Sequence, residues 1–382
     1  MSRPTISLCM IVKDEEELIA ACLNSVKDWI DEMIIVDTGS TDRTVEICQS
    51  FGAKVLAYEW NNHFADARNH GLAHATGDWI LYLDADEELA PLGDYDLHAQ
   101  LRQEHASILS LHLINYIGEV PNEDEAFHIA HPRFFRNYRG LKFKYPIHET
   151  LNVDEIYENQ DLSAIMGHVP LKLWHRGYMD SITQQKNKYE RNMTLLLQEA
   201  NEQSSNPWTQ YHMASEYYRV HRYDKAFEYV NLSIVRFIQS GRMPPSLLYK
   251  LKYAILFNTG SIDGAWPGID KAIALYPDYV DLHFYKGVIF YLKTWYAGAL
   301  DVFQHCLVLG ETMGQHLTLR GTGSFHAWYY IGLCSENLGN SQQAAQAYEA
   351  ALRLSPTYTL ASDALLKLRI GRANKEGTES RG

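Results

Sequence analysis

Two carboxylates one residue apart, Asp84 and Asp86, follow an apolar run in Leu81-Tyr82-Leu83-Asp84-Ala85-Asp86-Glu87-Glu88. On an extended chain alternate residues point to the same side, so the pair can share a site. Two unpaired carboxylates held close demand a cation. A hard ion that also takes substrate phosphates, Mg2+ or Mn2+, meets that demand, although an acidic loop after a strand reads the same from this run alone. Two further segments offer complementary groups. In Val36-Asp37-Thr38-Gly39-Ser40-Thr41-Asp42, Asp37 can accept a base N–H or a ribose hydroxyl ahead of a turn and a helix cap. In Phe64-Ala65-Asp66-Ala67-Arg68-Asn69-His70-Gly71, the fork of Arg68 suits a base edge or a diphosphate, with Asp66 placed to orient it. As simple surface charges, Asp66 and Arg68 would look the same.

The elements that must position these groups follow from periodicity. Apolar runs predict strands over 5–12, 33–36, 54–58 and 79–83, and amphipathic patterns predict helices over 15–29, 42–51 and 65–75. Strand and helix alternating at this spacing imply a parallel α/β sheet with its ligand crevice at the strand C-termini. The stretch from 108 to about 173 is β-rich and irregular. From about 180 a helical repeat takes over, with small residues Ala226, Ala265, Ala299 and Ala344 at steps of 39, 34 and 45. The last unit carries Trp328, Ile331, Gly332, Gly339, Ala344, Tyr348, Ala351 and Pro356 in tetratricopeptide order. Residues 310–323 read as a Gly-rich loop inserted between repeats, and the end from Gly371 as a polar, frayed tail. The chain thus divides into 1–180, 181–370 and 371–382.

Composition narrows the function classes. Of 382 residues, 34 are Lys or Arg and 47 are Asp or Glu, a net charge of −13 that argues against a nucleic-acid partner. No segment approaches the ~20 apolar residues of a membrane span, and the N-terminus lacks the features of a signal peptide. Five scattered cysteines without a CxxC argue against a disulfide framework or a structural zinc. A cytoplasmic location is the expectation.

Residues 5–90 resemble the family 2 glycosyltransferases of the GT-A fold. SLCMIVKDEE, VDTGSTDRT, ADARNHG and GDWILYLDADE occur in that family's order and spacing. Asp14 is a departure, because Asn is commoner there. The resemblance implies a nucleotide-sugar donor, a UDP-sugar foremost, a divalent metal and inversion at the anomeric carbon. It implies that Val12 and Asp37 contact the nucleoside and that Arg68 lies near the base or phosphates. Asp84 should reach the ribose or the metal, and Asp86 should bind the metal directly. Sugar transfer also needs a base for the acceptor. The family's placement of it points to Pro146-Ile147-His148-Glu149, with Glu149 as base and His148 as neighbour or substitute. Glu149 could instead pair with Arg133 or Arg136, and His148 could be structural. Leu173-Trp174-His175-Arg176-Gly177-Tyr178 resembles the HxGY signature that closes such a domain, which makes His175 a further metal or diphosphate ligand, or else a core histidine. Arg133, Arg136, Arg139, Lys142 and Lys144 form an acid-free basic stretch, either a solvated face or a diphosphate or acceptor contact.

The expected architecture is therefore α/β followed by all-α: a Rossmann-like GT-A domain and a TPR-like helical domain. The expected activity is metal-dependent transfer of a sugar to a peptide, protein or surface-glycan acceptor. The overall plan resembles bacterial peptide glycosyltransferases, with the acceptor on the repeat face and a homodimer among the possible assemblies. The competing readings are an inactive repeat scaffold and a nucleotidyltransferase. The second would need a Gly-rich basic loop where this chain has Lys13-Asp14-Glu15-Glu16-Glu17.

Overall fold

Strand β1 (Ile6–Val12) is almost wholly apolar and buried, as a central parallel strand covered on both faces must be. It lies between β2 (Glu32–Asp37) and β4 (Trp79–Tyr82), both parallel to it, with β3 (Lys54–Ala57) outside β2. The computed structural model describes residues 3–91, 93–158, 160–179, 188–202, 206–311 and 314–379. The sheet continues through β7 (Phe127–Arg136), antiparallel to β4, then β6 (Ile108–Gly118), β10 (Met166–Met179) and β5 (Glu87–Leu89), giving the order β3-β2-β1-β4-β7-β6-β10-β5. A separate hairpin pairs β8 (Phe143–Lys144) with β9 (Thr150–Leu151).

Alternation along β1 sends Ile6, Leu8, Met10 and Val12 to one face, where Ile19, Cys22, Leu23 and Val26 of α1 (Ile19–Val26) and Cys48 of α2 (Thr44–Ser50) join them. Cys9 points to the other face with Ile34, Ile80 and Ala65 of α3 (Phe64–Leu72). Helix α1 starts four residues later than its periodicity predicts. Residues 13–16 are instead tied to the loop after β2: Asp14 Oδ1 accepts from Thr41 N at 2.7 Å, Glu15 N donates to Thr44 Oγ1, and Glu16 Oε2 accepts from Arg43 N. Asp14 sits at φ +52, a region that Asn and Asp tolerate best, and its acceptor oxygen does what an Asn carbonyl would do.

The chain forms two compact units, residues 1–121 with 129–212, and residues 122–128 with 213–382. The first therefore includes helix Lys188–Glu202 and ends inside helix Pro207–Arg219. In the second, helices pair as the repeat pattern implies, among them Val280–Leu292 with Tyr296–Leu309 and Phe325–Asn337 with Ser341–Leu354. The four aligned alanines are all buried. A Cβ on Gly287 would meet the Phe303 ring at 2.6 Å, and one on Gly332 the Tyr348 ring at 2.2 Å, so glycine here admits the aromatic of the second helix.

Two expectations are corrected in this unit. The 310–323 insertion is more than a loop, since Thr318–Leu319 forms strand β11, paired antiparallel with His128 and Phe127. The polar tail expected from Gly371 is helical as far as it is described, since the last helix runs Thr359–Glu379, and residues 380–382 lie outside the described residues.

Candidate active site

Strand registers deliver the acidic motif. Residue 84 lies just beyond β4, and β5 then turns back against β10 so that Glu87 is opposite His175. On the other side of β10, His175 is in register with Asn115 of β6. Nδ1 of His175 lies 2.8 Å from Asn115 Oδ1; an amide oxygen only accepts, so Nδ1 donates, which leaves Nε2 as the ring nitrogen turned to the site. That nitrogen faces Asp86 Oδ1 at 3.6 Å. Among the described residues this buried oxygen has no hydrogen-bond partner, an expensive state for a carboxylate unless something supplies positive charge. Lys188 Nζ lies 3.8 Å from the other oxygen and donates to Gly177 O.

Space around this pair depends on Gly177. The β10–β6 register shifts between His175 and Tyr178, a bulge that re-aims the strand. A Cβ on Gly177 would fall 2.4 Å from both Asp86 Oδ2 and His175 Nε2. Among the described residues no three His, Cys, Asp or Glu side chains converge as a cation site. Asp86 and His175 could supply two of the donors a cation needs, beside a cradle that any side chain at 177 would fill.

Asp84 is engaged differently. Its Oδ1 takes Nη2 of Arg68 at 2.7 Å, and Nε of Arg68 donates to Glu149 Oε1 in a short hydrogen bond. Burial disfavours the charge on Asp84, yet Arg68 and Arg133 outweigh it and hold the carboxyl well below its usual range. Burial likewise opposes the Arg68 cation, which Asp84 and Glu149 more than compensate. Glu149 therefore pairs with Arg68, not with Arg133 or Arg136. Among the described residues its Oε2 has no hydrogen-bond partner, and Arg68 Nη1 is buried without one. A cavity of about 10 Å³ adjoins Arg68, lined also by Cys9, Met10, Gly71, Tyr82 and Phe143, which is room for one water.

Sequence reasoning missed the residue that brings Glu149 to Arg68. Asn69, next to Arg68 on α3, donates to Phe143 O and accepts from Phe143 N, both at 2.9 Å. Phe64 N donates to Pro146 O. This backbone clamp fixes the β8–β9 hairpin, whose turn carries residues 146–149. The only sequence signal was an Asn inside ADARNHG. Asp66 does not orient Arg68; it accepts from Asn61 and lies near His63, whose ring caps α3.

The remaining candidates are placed as follows. Asp37 ends β2, and its carboxylate accepts from Ser40 N at 3.0 Å and Gly39 N at 3.3 Å, shaping the turn at the crevice edge. Val12 ends β1 beside it, with a buried side chain and a carbonyl that accepts from Thr38 N and Oγ1. His148, at φ +52, stacks on His212 with centroids 3.8 Å apart. Burial and His148 push the His212 imidazole well below its ordinary value, so it is neutral.

The basic stretch is largely structural. Arg133 forms a buried two-point pair with Glu87, donates to His131 Nδ1 and lies over the Tyr82 ring. Arg136 donates to the carbonyls of Ala106 and Glu104 and covers Trp79, while Lys144 pairs with Glu155. Glu87, not the phosphates of a ligand, explains Arg133.

Residues 7–152 match the profile of glycosyl transferase family 2, and residues 325–358 match a tetratricopeptide repeat. The chain therefore carries a family 2 glycosyltransferase domain followed by tetratricopeptide-type helices. It is 46% identical over 148 residues to a TPR repeat-containing protein of Synechococcus elongatus, covering 38% of this chain and 35% of that one. It is 30% identical over 237 residues to the glycosyltransferase SunS of Bacillus subtilis, covering 60% of this chain and 53% of the relative. The chain thus spans about half or less of these relatives' lengths. A solved glucosyl-3-phosphoglycerate synthase from Mycobacterium tuberculosis aligns over 29% of this chain and 44% of its own at 24% identity, with a TM-score of 0.26, too loose to transfer residue roles. No described helix is long and apolar enough to cross a membrane.

Proposed function

We propose that the chain is an inverting glycosyltransferase that moves a sugar from a nucleoside diphosphate donor, a UDP-sugar first among the candidates, to a peptide, protein or surface-glycan acceptor. The observation that carries this reading is the buried Oδ1 of Asp86, without a hydrogen-bond partner among the described residues, facing His175 Nε2, with Gly177 keeping the space open. Two protein donors of this kind suit Mg2+ or Mn2+ shared with substrate phosphates, and the family 2 domain supplies the context. Bound there, the ion neutralises the charge that develops on the departing diphosphate.

The chain's own residues do the rest. Asp37, at the end of β2, receives a nucleoside hydroxyl or base N–H, with Val12 bordering the same pocket from β1. Arg68 holds Asp84 and Glu149 in one plane of hydrogen bonds, so the edge of the donor site and the base move as a unit. Glu149 takes the acceptor's proton on Oε2 while Arg68 orients it through Oε1. His148, stacked on the neutral His212, supports the turn that presents Glu149.

The test is donor turnover and binding measured separately. With Mn2+ or Mg2+, hydrolysis of UDP-glucose or UDP-N-acetylglucosamine should be metal-dependent and lost in Asp86→Ala. Calorimetry should show Mn2+ affinity falling in the same variant. Glu149→Gln should abolish transfer and leave donor binding measurable. Undiminished hydrolysis by Asp86→Ala removes the metal assignment, and unchanged transfer by Glu149→Gln removes the base.

A further inference from the structure

Residues 122–128, Asn-Glu-Asp-Glu-Ala-Phe-His, are separated in sequence from the rest of the second unit yet belong to it, and they lie along it as a peptide would. Glu123–Glu125 forms one 3-10 turn capped by the Asn122 side chain, and the segment then continues as a strand. Phe127 and His128 pair antiparallel with Leu319 and Thr318, and Arg320 N donates to Ala126 O at 3.0 Å. Its acids are read by side chains. Arg320 Nη1 is 2.7 Å from Glu123 Oε2 and 3.4 Å from Asp124 Oδ1, and Asp124 Oδ2 accepts from Thr357 Oγ1 at 3.2 Å and from Ser355 Oγ. Ala126 is fully buried, and the ring of Phe127 lies 4.2 Å from Lys250 Nζ. Main-chain pairing for affinity at 126–128, with side chains reading the acids of the preceding turn for specificity, combines strand addition with a charged subsite.

The recognising surface is itself preorganised. Lys250 is held by a buried pair with Asp281 and by Leu317 O, and Asp281 also takes Leu319 N and Thr322 Oγ1. Strand β11 is thereby fixed from behind by Asp281, while Lys250 also faces the Phe127 ring.

We propose that β11, Arg320, Lys250 and the Ser355/Thr357 pair form a binding site for an acidic peptide that takes one 3-10 turn and then a strand, filled in cis by residues 122–128. The site selects two acids, a spacer, a small residue and an aromatic, the order Glu123-Asp124-Glu125-Ala126-Phe127. A tethered segment presents itself at an effective concentration on the order of millimolar, so an added peptide binds only where it outcompetes the resident copy. The inference stands on the second unit alone and does not depend on the proposed glycosyl transfer.

The test uses the full chain and a fluorescein-labelled peptide with the sequence of residues 119–130, read by anisotropy. Glu123→Lys with Asp124→Lys weakens the resident segment against Arg320, and this variant should bind the peptide at least tenfold tighter than the wild type. Adding Arg320→Glu should abolish that binding, and a peptide with lysines at the two acidic positions should fail throughout. Equal binding by wild type and variant, or none by a variant that circular dichroism shows folded, overturns the proposal. Should the variant not fold, hydrogen exchange on the wild type decides. Millimolar peptide should speed exchange at residues 126–128, and unchanged exchange overturns it.

Discussion

Replacing Gly177 by alanine isolates the cradle beside Asp86. The added Cβ would stand 2.4 Å from Asp86 Oδ2 and 2.4 Å from His175 Nε2, where ordinary contact begins at 3.4 Å. Each group must therefore retreat by about 1 Å, and a displacement of that size at reacting groups costs about 10²-fold. That is about 2.7 kcal/mol of lost transition-state stabilisation. The backbone at 177 is not in the left-handed region, so alanine adds no φ strain and the fold loses only about 1–3 kcal/mol from crowding. The assay is Mn2+ titration by calorimetry or spin resonance, with UDP-sugar hydrolysis alongside and urea denaturation as the control for folding. A folded Gly177→Ala protein with weakened Mn2+ affinity and about a hundredfold slower hydrolysis is the expected result. Wild-type affinity and turnover in that variant would refute the placement of the cation between Asp86 and His175.

Three further outcomes follow from the same structure. Arg133→Met leaves Glu87 buried without its partner and should cost about 3–5 kcal/mol in urea denaturation, whereas a loss below about 1 kcal/mol would restore Arg133 to a surface role. Gly332→Ala drives a Cβ into the Tyr348 ring and should destabilise the second unit by about 1–3 kcal/mol, seen in its own melting transition, while UDP-sugar hydrolysis keeps its wild-type rate. Acid should act in two windows. Burial, reinforced by Arg133, lowers His131 from 6.5 to about 3, so the unfolded chain binds a proton that the native state refuses and stability falls from about pH 6.5 down to about pH 3. Burial lowers His326 in the second unit to about 4, and its window closes sooner. Denaturation midpoints between pH 7 and pH 4 should flatten in His131→Gln, and an unchanged slope in that variant would contradict the assignment.

The sheet and the acidic motif were legible because each rests on local chemistry. The apolar run of β1, the cap at Asp42 and the carboxylates after β4 depend on neighbours in sequence, and Asp42 does accept from Thr44 N. What was not legible depends on pairing between distant strands. Nothing in residues 131–145 announces that Arg133 answers Glu87, because that contact requires β7, β4 and β5 to be brought together. Glu149 reaches Arg68 only through the Asn69 clamp on Phe143, and an amide in a helix carries no pattern that names a backbone partner 74 residues away. The strand in 310–323 was hidden for the same reason: two residues, Thr318 and Leu319, have no periodicity of their own and become a strand only against residues 127–128.

The two aspartates of the motif end with different partners, and this divides their labour. Asp84 has its charge answered inside the protein by the Arg68 guanidinium, which also answers Glu149. Asp86 has one buried oxygen that no hydrogen bond satisfies among the described residues, with an imidazole nitrogen and a glycine beside it. Lys188 Nζ, 3.8 Å from the other oxygen, answers that charge only at a distance, so a cation arriving with the ligand would complete what the protein leaves open. Asp84 needs no such arrival, so removing it should disturb Arg68 and Glu149 before it disturbs the cation. Asp84→Asn ought then to keep most of the Mn2+ affinity and lose transfer, the reverse of Gly177→Ala, in which Mn2+ affinity is what fails. If both variants lost Mn2+ equally, the two carboxylates would share the ion, and the division drawn from their different partners would be wrong.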